Sequence, residues 1–126
     1  MPRRAASREE RFATWRKNMS ELAKSENVFV KLGGLAMPFC GFDSCLAEPP
    51  APSEQLAKEW KPYIEASIEA FGVNRCMFES NFPVDAVTCD YPTLWNAFKR
   101  IAAGYSAAEK TALFSGTAAN FYKITL

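Results

Sequence analysis

A chain of 126 residues, 48% hydrophobic and 23% charged, has the length and balance of one globular domain, which excludes disorder as its default state. Lys+Arg 15 against Asp+Glu 14 leaves a net charge of +1, too little to recruit nucleic acid, a membrane surface or an acidic partner by long-range field. Histidine is absent, so chemistry performed by these residues alone has no imidazole base or imidazole metal ligand.

Residues 1–11 are basic but precede no apolar stretch, and no later run approaches about 18 apolar residues, so neither a signal peptide nor a membrane span is expected. Ser7 and Glu10 stand in capping-box spacing, and Phe12, Trp15, Met19, Leu22 and Ala23 recur at helical intervals, which predicts an amphipathic helix over residues 8–24. Residues 27–32 (NVFVKL) read as a strand ended by Gly33 and Gly34, with Val28, Val30 and Leu32 on one face and Phe29 and Lys31 on the other. Residues 36–52 form a long loop punctuated by Pro38, Gly41 and a cluster at Pro49, Pro50 and Pro52, with Phe39 and Phe42 as anchors; stretches of that length commonly act as lids or linkers.

A second helix is expected over residues 53–71, burying Leu56, Trp60, Tyr63, Ile64, Ile68 and Phe71, closed by Gly72, and either kinked at Pro62 or truly beginning there. A second strand, residues 75–79 (RCMFE), runs directly into Ser80-Asn81-Phe82-Pro83-Val84-Asp85. Asp90 caps a third helix bearing Leu94, Trp95, Phe98 and Ile101 and stopped by Gly104; Ser106 and Glu109 open a fourth through Leu113 and Phe114, and Ser115-Gly116-Thr117 introduces a last short segment. Trp15, Trp60, Trp95 and Phe98 are expected in the core or on a docking surface. Cys40, Cys45, Cys76 and Cys89 are too irregularly spaced for a disulfide scaffold or a zinc knuckle and are expected reduced and packed, in keeping with a cytoplasmic address.

The alternation is that of an α/β protein with parallel strands, but two strands are too few to close a core of that kind, so the chain reads as the C-terminal end of something larger.

Four strings resemble the C-terminal portion of amidohydrolase-related proteins: VFVKLGGL at 28–35 with Met37-Pro38, RCMFESNFPVD at 75–85, LWNAFKRIAA at 94–103 and FSGTAANFY at 114–122. The resemblance implies a partial (β/α)8 TIM-barrel domain over residues 1–126, its two parallel strands being the seventh and eighth of the barrel with their flanking helices; a full barrel takes about 250 residues. It implies a hydrolase whose intact form attacks a lactone, amide or related carboxylate-bearing small molecule with an activated water. This chain alone is expected to be incomplete and inactive.

It also implies, in family members, a divalent metal such as zinc held by histidines from earlier strands and an aspartate at the tip of the eighth. That aspartate falls on Asn81, an amide, and no metal ligand or cofactor is assigned to this chain. The site residues so implied are Asn81, Asp85 and Glu79 as catalytic groups and Lys31, Ser80 and Met37 as substrate-binding groups. Beside this stands a structural reading, in which Asn81 and Asp85 make turn contacts around Pro83 and Lys31 is a solvated strand-edge residue. The alternative function is a non-catalytic, assembly-dependent half-barrel completed by self-association or by a missing N-terminal half.

Overall fold

A computed structural model describes residues 4–126. Two three-residue strands, β1 (Val30–Leu32) and β2 (Cys76–Phe78), pair in parallel with Val30 opposite Cys76, Lys31 opposite Met77 and Leu32 opposite Phe78. The connection between them carries α2 (Ser53–Phe71), and α1 (Arg8–Leu22) precedes β1. After β2 come α3 (Tyr91–Ile101), α4 (Ala107–Thr111) and α5 (Thr117–Tyr122). No helix among the described residues is long and apolar enough to cross a membrane.

Because side chains alternate along a strand, Leu32, Cys76 and Phe78 share one face. That face is the core: all three are buried together with Leu56, Trp60 and Ile64 of α2 and Leu94, Phe98 and Ile101 of α3. Phe78 stacks on Phe98 with ring centroids 4.6 Å apart, and Trp60 lies 5.8 Å from the same ring. Both helices form where capping and periodicity place them. Asp90 accepts from the Thr93 amide at 2.8 Å, and Gly72 ends α2 with a φ of 80° that a side chain would strain. Pro62 neither ends nor begins α2; it sits on the exposed side of an uninterrupted helix, where the bond it cannot make to the preceding turn costs least.

Several expectations are corrected. The first helix stops at Leu22, because the guanidinium of Arg75 takes the carbonyls of Ala23 and Ser25 and folds the chain over into β1. Its apolar stripe is only half-covered: Phe12 and Trp15 pack on Tyr63 at 5.0 and 5.2 Å, and no residue of α1 is buried. Both strands are shorter than the runs that suggest them, since each finds three ladder partners on the other. The long loop is neither a free lid nor a linker. Its Pro38–Cys40 turn is held by Arg8, which donates to the Cys40 carbonyl at 2.6 Å and stacks over Phe42 at 4.5 Å, and its Ser44 amide donates to Glu59 at 3.3 Å. The last two helices are one continuous run through a wide turn at Ala112–Gly116, and Thr117 anchors it by donating to the Val73 carbonyl at 2.5 Å.

On the other face of the sheet Gly33, one residue beyond Leu32, meets Glu79, one beyond Phe78. A methyl group built on Gly33 would lie 2.5 Å from the Glu79 carbonyl oxygen, a backbone atom that cannot swing aside. Gly33→Ala is therefore expected to cost about 1–3 kcal/mol, the usual range for overpacking. Gly104→Ala, which meets nothing within 4 Å, serves as the control. Urea midpoints check this; equal shifts for the two variants would contradict it.

Candidate functional site at the strand ends

Both strands deliver their following turns to the same end of the sheet. The amide of Glu79 donates to the Leu32 carbonyl at 3.2 Å, which extends the ladder one step beyond Phe78 and brings the turn at 33–37 beside the turn at 79–89. Gly34 adopts a φ of 77°, and the position a side chain would take there is 3.2 Å from the Met37 methyl and 3.7 Å from the Asn81 amide nitrogen. Asn81 itself has a φ of 54°, the left-handed region that asparagine tolerates better than most side chains.

Asp85 is the centre of the arrangement and is 1% exposed. Its Oδ1 accepts from Asn81 Nδ2 at 2.7 Å and its Oδ2 accepts from the Ala36 backbone amide at 3.4 Å. The backbone of Ala36 is gripped a second time in the next peptide, where the Thr88 hydroxyl donates to the Ala36 carbonyl at 2.8 Å. The turn carrying these groups is closed by its own backbone: the Asp85 amide donates to Asn81 O at 3.0 Å, and Asp85 O accepts from the amides of Thr88 at 3.1 Å and Cys89 at 3.3 Å. Ser80 Oγ accepts from the Phe82 amide at 3.2 Å, so it caps the turn.

The structure thus brings Asn81, Asp85, Met37 and Gly34 together and leaves Lys31 apart. Lys31 is exposed, with its ammonium 5.3 Å from the ring centroid of Tyr122, whose hydroxyl hydrogen bond raises the lysine's pKa. Glu79 is half-buried at the end of β2. The side-chain hydrogen bonds of Asp85 go to the Asn81 side chain and to the distant Ala36 amide, not to the backbone around Pro83 as the structural reading expects. Sequence reasoning does not single out Ala36 or Thr88. A backbone partner leaves no residue-type signal, and only the three-residue step from Asp85 to Thr88 hints at the second grip.

Burial pushes the Asp85 carboxyl above the usual range, outweighing the hydrogen bonds from Asn81 and Ala36 that favour its ionised form. Burial likewise pushes the Cys76 thiol up to about 12 and the Cys89 thiol up to about 11, so both are protonated at neutral pH and are poor nucleophiles. All four cysteines are free. A cavity of about 640 Å³ between α1 and α2, lined by Arg8, Phe12, Phe42 and Tyr63, lies apart from this site and shares none of its residues.

A family model for amidohydrolases matches residues 1–124. The chain belongs to the amidohydrolase family. It is 42% identical over 113 residues to the uncharacterized protein y4mH of Sinorhizobium fredii, covering 90% of this chain and 34% of that protein. It is 34% identical to the L-fucono-1,5-lactonase of Burkholderia multivorans, covering 89% of this chain and 36% of the lactonase. Among solved structures it is similar to an amidohydrolase from Burkholderia multivorans crystallised with HEPES, with a TM-score of 0.76 and 31% identity over 90% of this chain and 38% of that one. A crystal form of an amidohydrolase from the same organism with bound zinc gives a TM-score of 0.78 at 30% identity, covering 95% and 40%. The chain therefore spans little more than a third of the length of the proteins it matches.

Zinc does not fit the residues present here. No three His, Cys, Asp or Glu side chains among the described residues converge as a ligand set. At the strand tip, where the resemblance implies a carboxylate, Asn81 is an amide, and both oxygens of Asp85 are already engaged. The purified chain is expected to hold no tightly bound transition metal; stoichiometric zinc that survives dialysis against a weak chelator would contradict this.

The raised pKa of Asp85 fixes the sign of a pH effect. A carboxyl whose folded value lies above its unfolded one contributes stability that is complete below the unfolded value, about 3.9, and lost as pH rises through the folded value. The urea midpoint of the wild-type chain should fall relative to that of Asp85→Asn as pH rises from about 4 through the folded value. A difference that is flat, or that moves the other way, would contradict the burial-dominated shift.

Proposed function

We propose that this chain is the C-terminal portion of a (β/α)8 amidohydrolase in which β1 and β2 are the seventh and eighth barrel strands, and that the completed barrel hydrolyses a lactone or related carboxylate-bearing small molecule. The observation that carries this reading is the meeting of Asn81 and Asp85 with the turn at 33–37 beyond the C-terminal ends of two parallel strands, where barrel enzymes place their chemistry. The 34% identity to a sugar lactonase supports the substrate class.

Lactone hydrolysis adds water to the carbonyl carbon and breaks the ring C–O bond, with one proton of the water passing to the departing oxygen and a hydroxy acid as product. Asn81 orients the water or the substrate by hydrogen bonding, since an amide is not a base. Asp85 holds Asn81 in place. Glu79, half-buried beside Gly33, is the carboxylate left to take up the proton. Met37 supplies an apolar wall and Ser80 a polar one. Lys31, apart from these groups and over Tyr122, is the strand cation left to recognise a carboxylate. The four free cysteines support a reducing, cytoplasmic setting.

The second reading, a non-catalytic half-barrel completed by a partner or by another copy, is favoured by the edge of each strand that pairs with nothing among the described residues.

A fusion of the first two-thirds of the Burkholderia lactonase to residues 8–124 of this chain tests the proposal. The fusion is expected to hydrolyse L-fucono-1,5-lactone, Asn81→Ala to lower kcat by about 100-fold, a typical loss for one positioned polar group, and the chain alone to remain at background. A folded but inert fusion would favour the second reading.

A further inference from the structure

An asparagine side chain is ambiguous in a way a carboxylate is not: it can offer a ligand either its carbonyl oxygen or its NH2, according to which end its own neighbours hold. Asp85 removes that ambiguity. Its Oδ2 is turned to the Ala36 amide and its Oδ1 to Asn81, and a carboxylate offers lone pairs only, so the amide nitrogen of Asn81 must face inward at 2.7 Å. The backbone of the same turn, with the Asp85 amide bonded to the Asn81 main-chain carbonyl and Asn81 in the left-handed region, fixes where the side chain leaves the chain. Asn81 Oδ1 accepts no hydrogen bond from any described residue, and Asn81 is half-exposed. The strand ends therefore present an acceptor.

We propose that Asp85 is a positioning residue that sets the polarity of Asn81, so that the site offers an acceptor oxygen to a water molecule and leaves that water's lone pair free to attack. This rests on the hydrolase reading. A water that donates to Oδ1 keeps both lone pairs and gains electron density on its oxygen, whereas one held by an outward NH2 gives one of its two lone pairs to the hydrogen bond and becomes the poorer nucleophile. An oxygen is therefore the better orienting group, and with an amide at this position an inward acceptor keeps it so.

Asp85→Asn discriminates this from a merely structural role, because the Ala36 amide must still find an acceptor. That requirement turns the carbonyl of the new side chain toward Ala36 and its NH2 toward Asn81, whose amide then inverts and presents NH2 outward. NMR of the whole chain, 15N-labelled at asparagine, reads the orientation directly. In the wild type the Asn81 NH2 protons are expected to show NOEs to Asp85 Hβ and slow exchange with water. In Asp85→Asn they are expected to lose both that exchange protection and the NOEs to the Hβ protons of residue 85. Wild-type NH2 protons that exchange as fast as those of exposed asparagines overturn the proposal even if the variant does not fold, and so does a folded variant whose Asn81 amide stays inward. In the lactonase fusion, Asp85→Asn is expected to lower kcat by at least about 10-fold with KM changed less than about 3-fold; a change confined to KM overturns the assignment to water. An inert wild-type fusion would instead strike at the hydrolase reading, and the NMR result still decides the polarity.

Discussion

One residue, Ala36, is held through both of its backbone polar groups by residues about fifty positions further along the chain. Its N–H meets the Asp85 carboxylate and its carbonyl meets the Thr88 hydroxyl. Only three rungs of ladder join β1 to β2, so the sheet alone does little to fix the turns beyond it. The grip on Ala36 carries the register of the strands into the two turns, sets Gly34 and Met37 against Asn81, and orders the first part of the long connection to α2. Burying a carboxylate is costly, as the raised pKa of Asp85 records; the hydrogen bonds it accepts offset part of that cost and convert the rest into a defined loop geometry.

How much of the fold is legible in the sequence depends on the range of the forces involved. The helices α2 and α3 are legible because their determinants are local: Asp90 three residues before Thr93, Gly72 after Phe71, and apolar residues at helical spacing. The capping box of Ser106 and Glu109 is present in full for the same reason. Strand lengths are not legible, since Val28 and Phe29 have strand-forming side chains but no ladder partner, and the partner is a tertiary fact. Trp15 shows the same limit: its helical stripe is real, yet only Tyr63 and its neighbours are there to cover it. Within the site, Asn81 and Asp85 are visible by residue type. Their joint dependence on Ala36 is not, because a main-chain amide has no identity in the sequence, and the pairing of Lys31 with Tyr122 depends on where α5 ends in space.

Membership of the amidohydrolase family and coverage of little more than a third of its relatives give these local features a common frame. The apolar face of the sheet is fully served by α2 and α3, whereas the opposite face carries Lys31, Met77 and the Gly33–Glu79 approach, and at its end the amide of Asn81 stands where the resemblance implies a carboxylate. An amide there changes the chemistry available from proton transfer to orientation. It also makes the side chain dependent on a neighbour to choose its polarity, and Asp85, four residues on, is placed to make that choice.

Amide hydrogen exchange at Ala36 tests the central constraint most directly. The Ala36 N–H lies outside any helix or strand, and its one hydrogen-bond acceptor among the described residues is Asp85. In the wild-type chain it is expected to exchange as slowly as the amides of the β1–β2 ladder, and in Asp85→Ala to exchange at the rate of an open loop while the amides of Leu56 and Ile64 in α2 keep their protection. Rapid exchange at Ala36 in the wild type, or protection there that survives the loss of the carboxylate, would contradict the dependence of this site on Asp85.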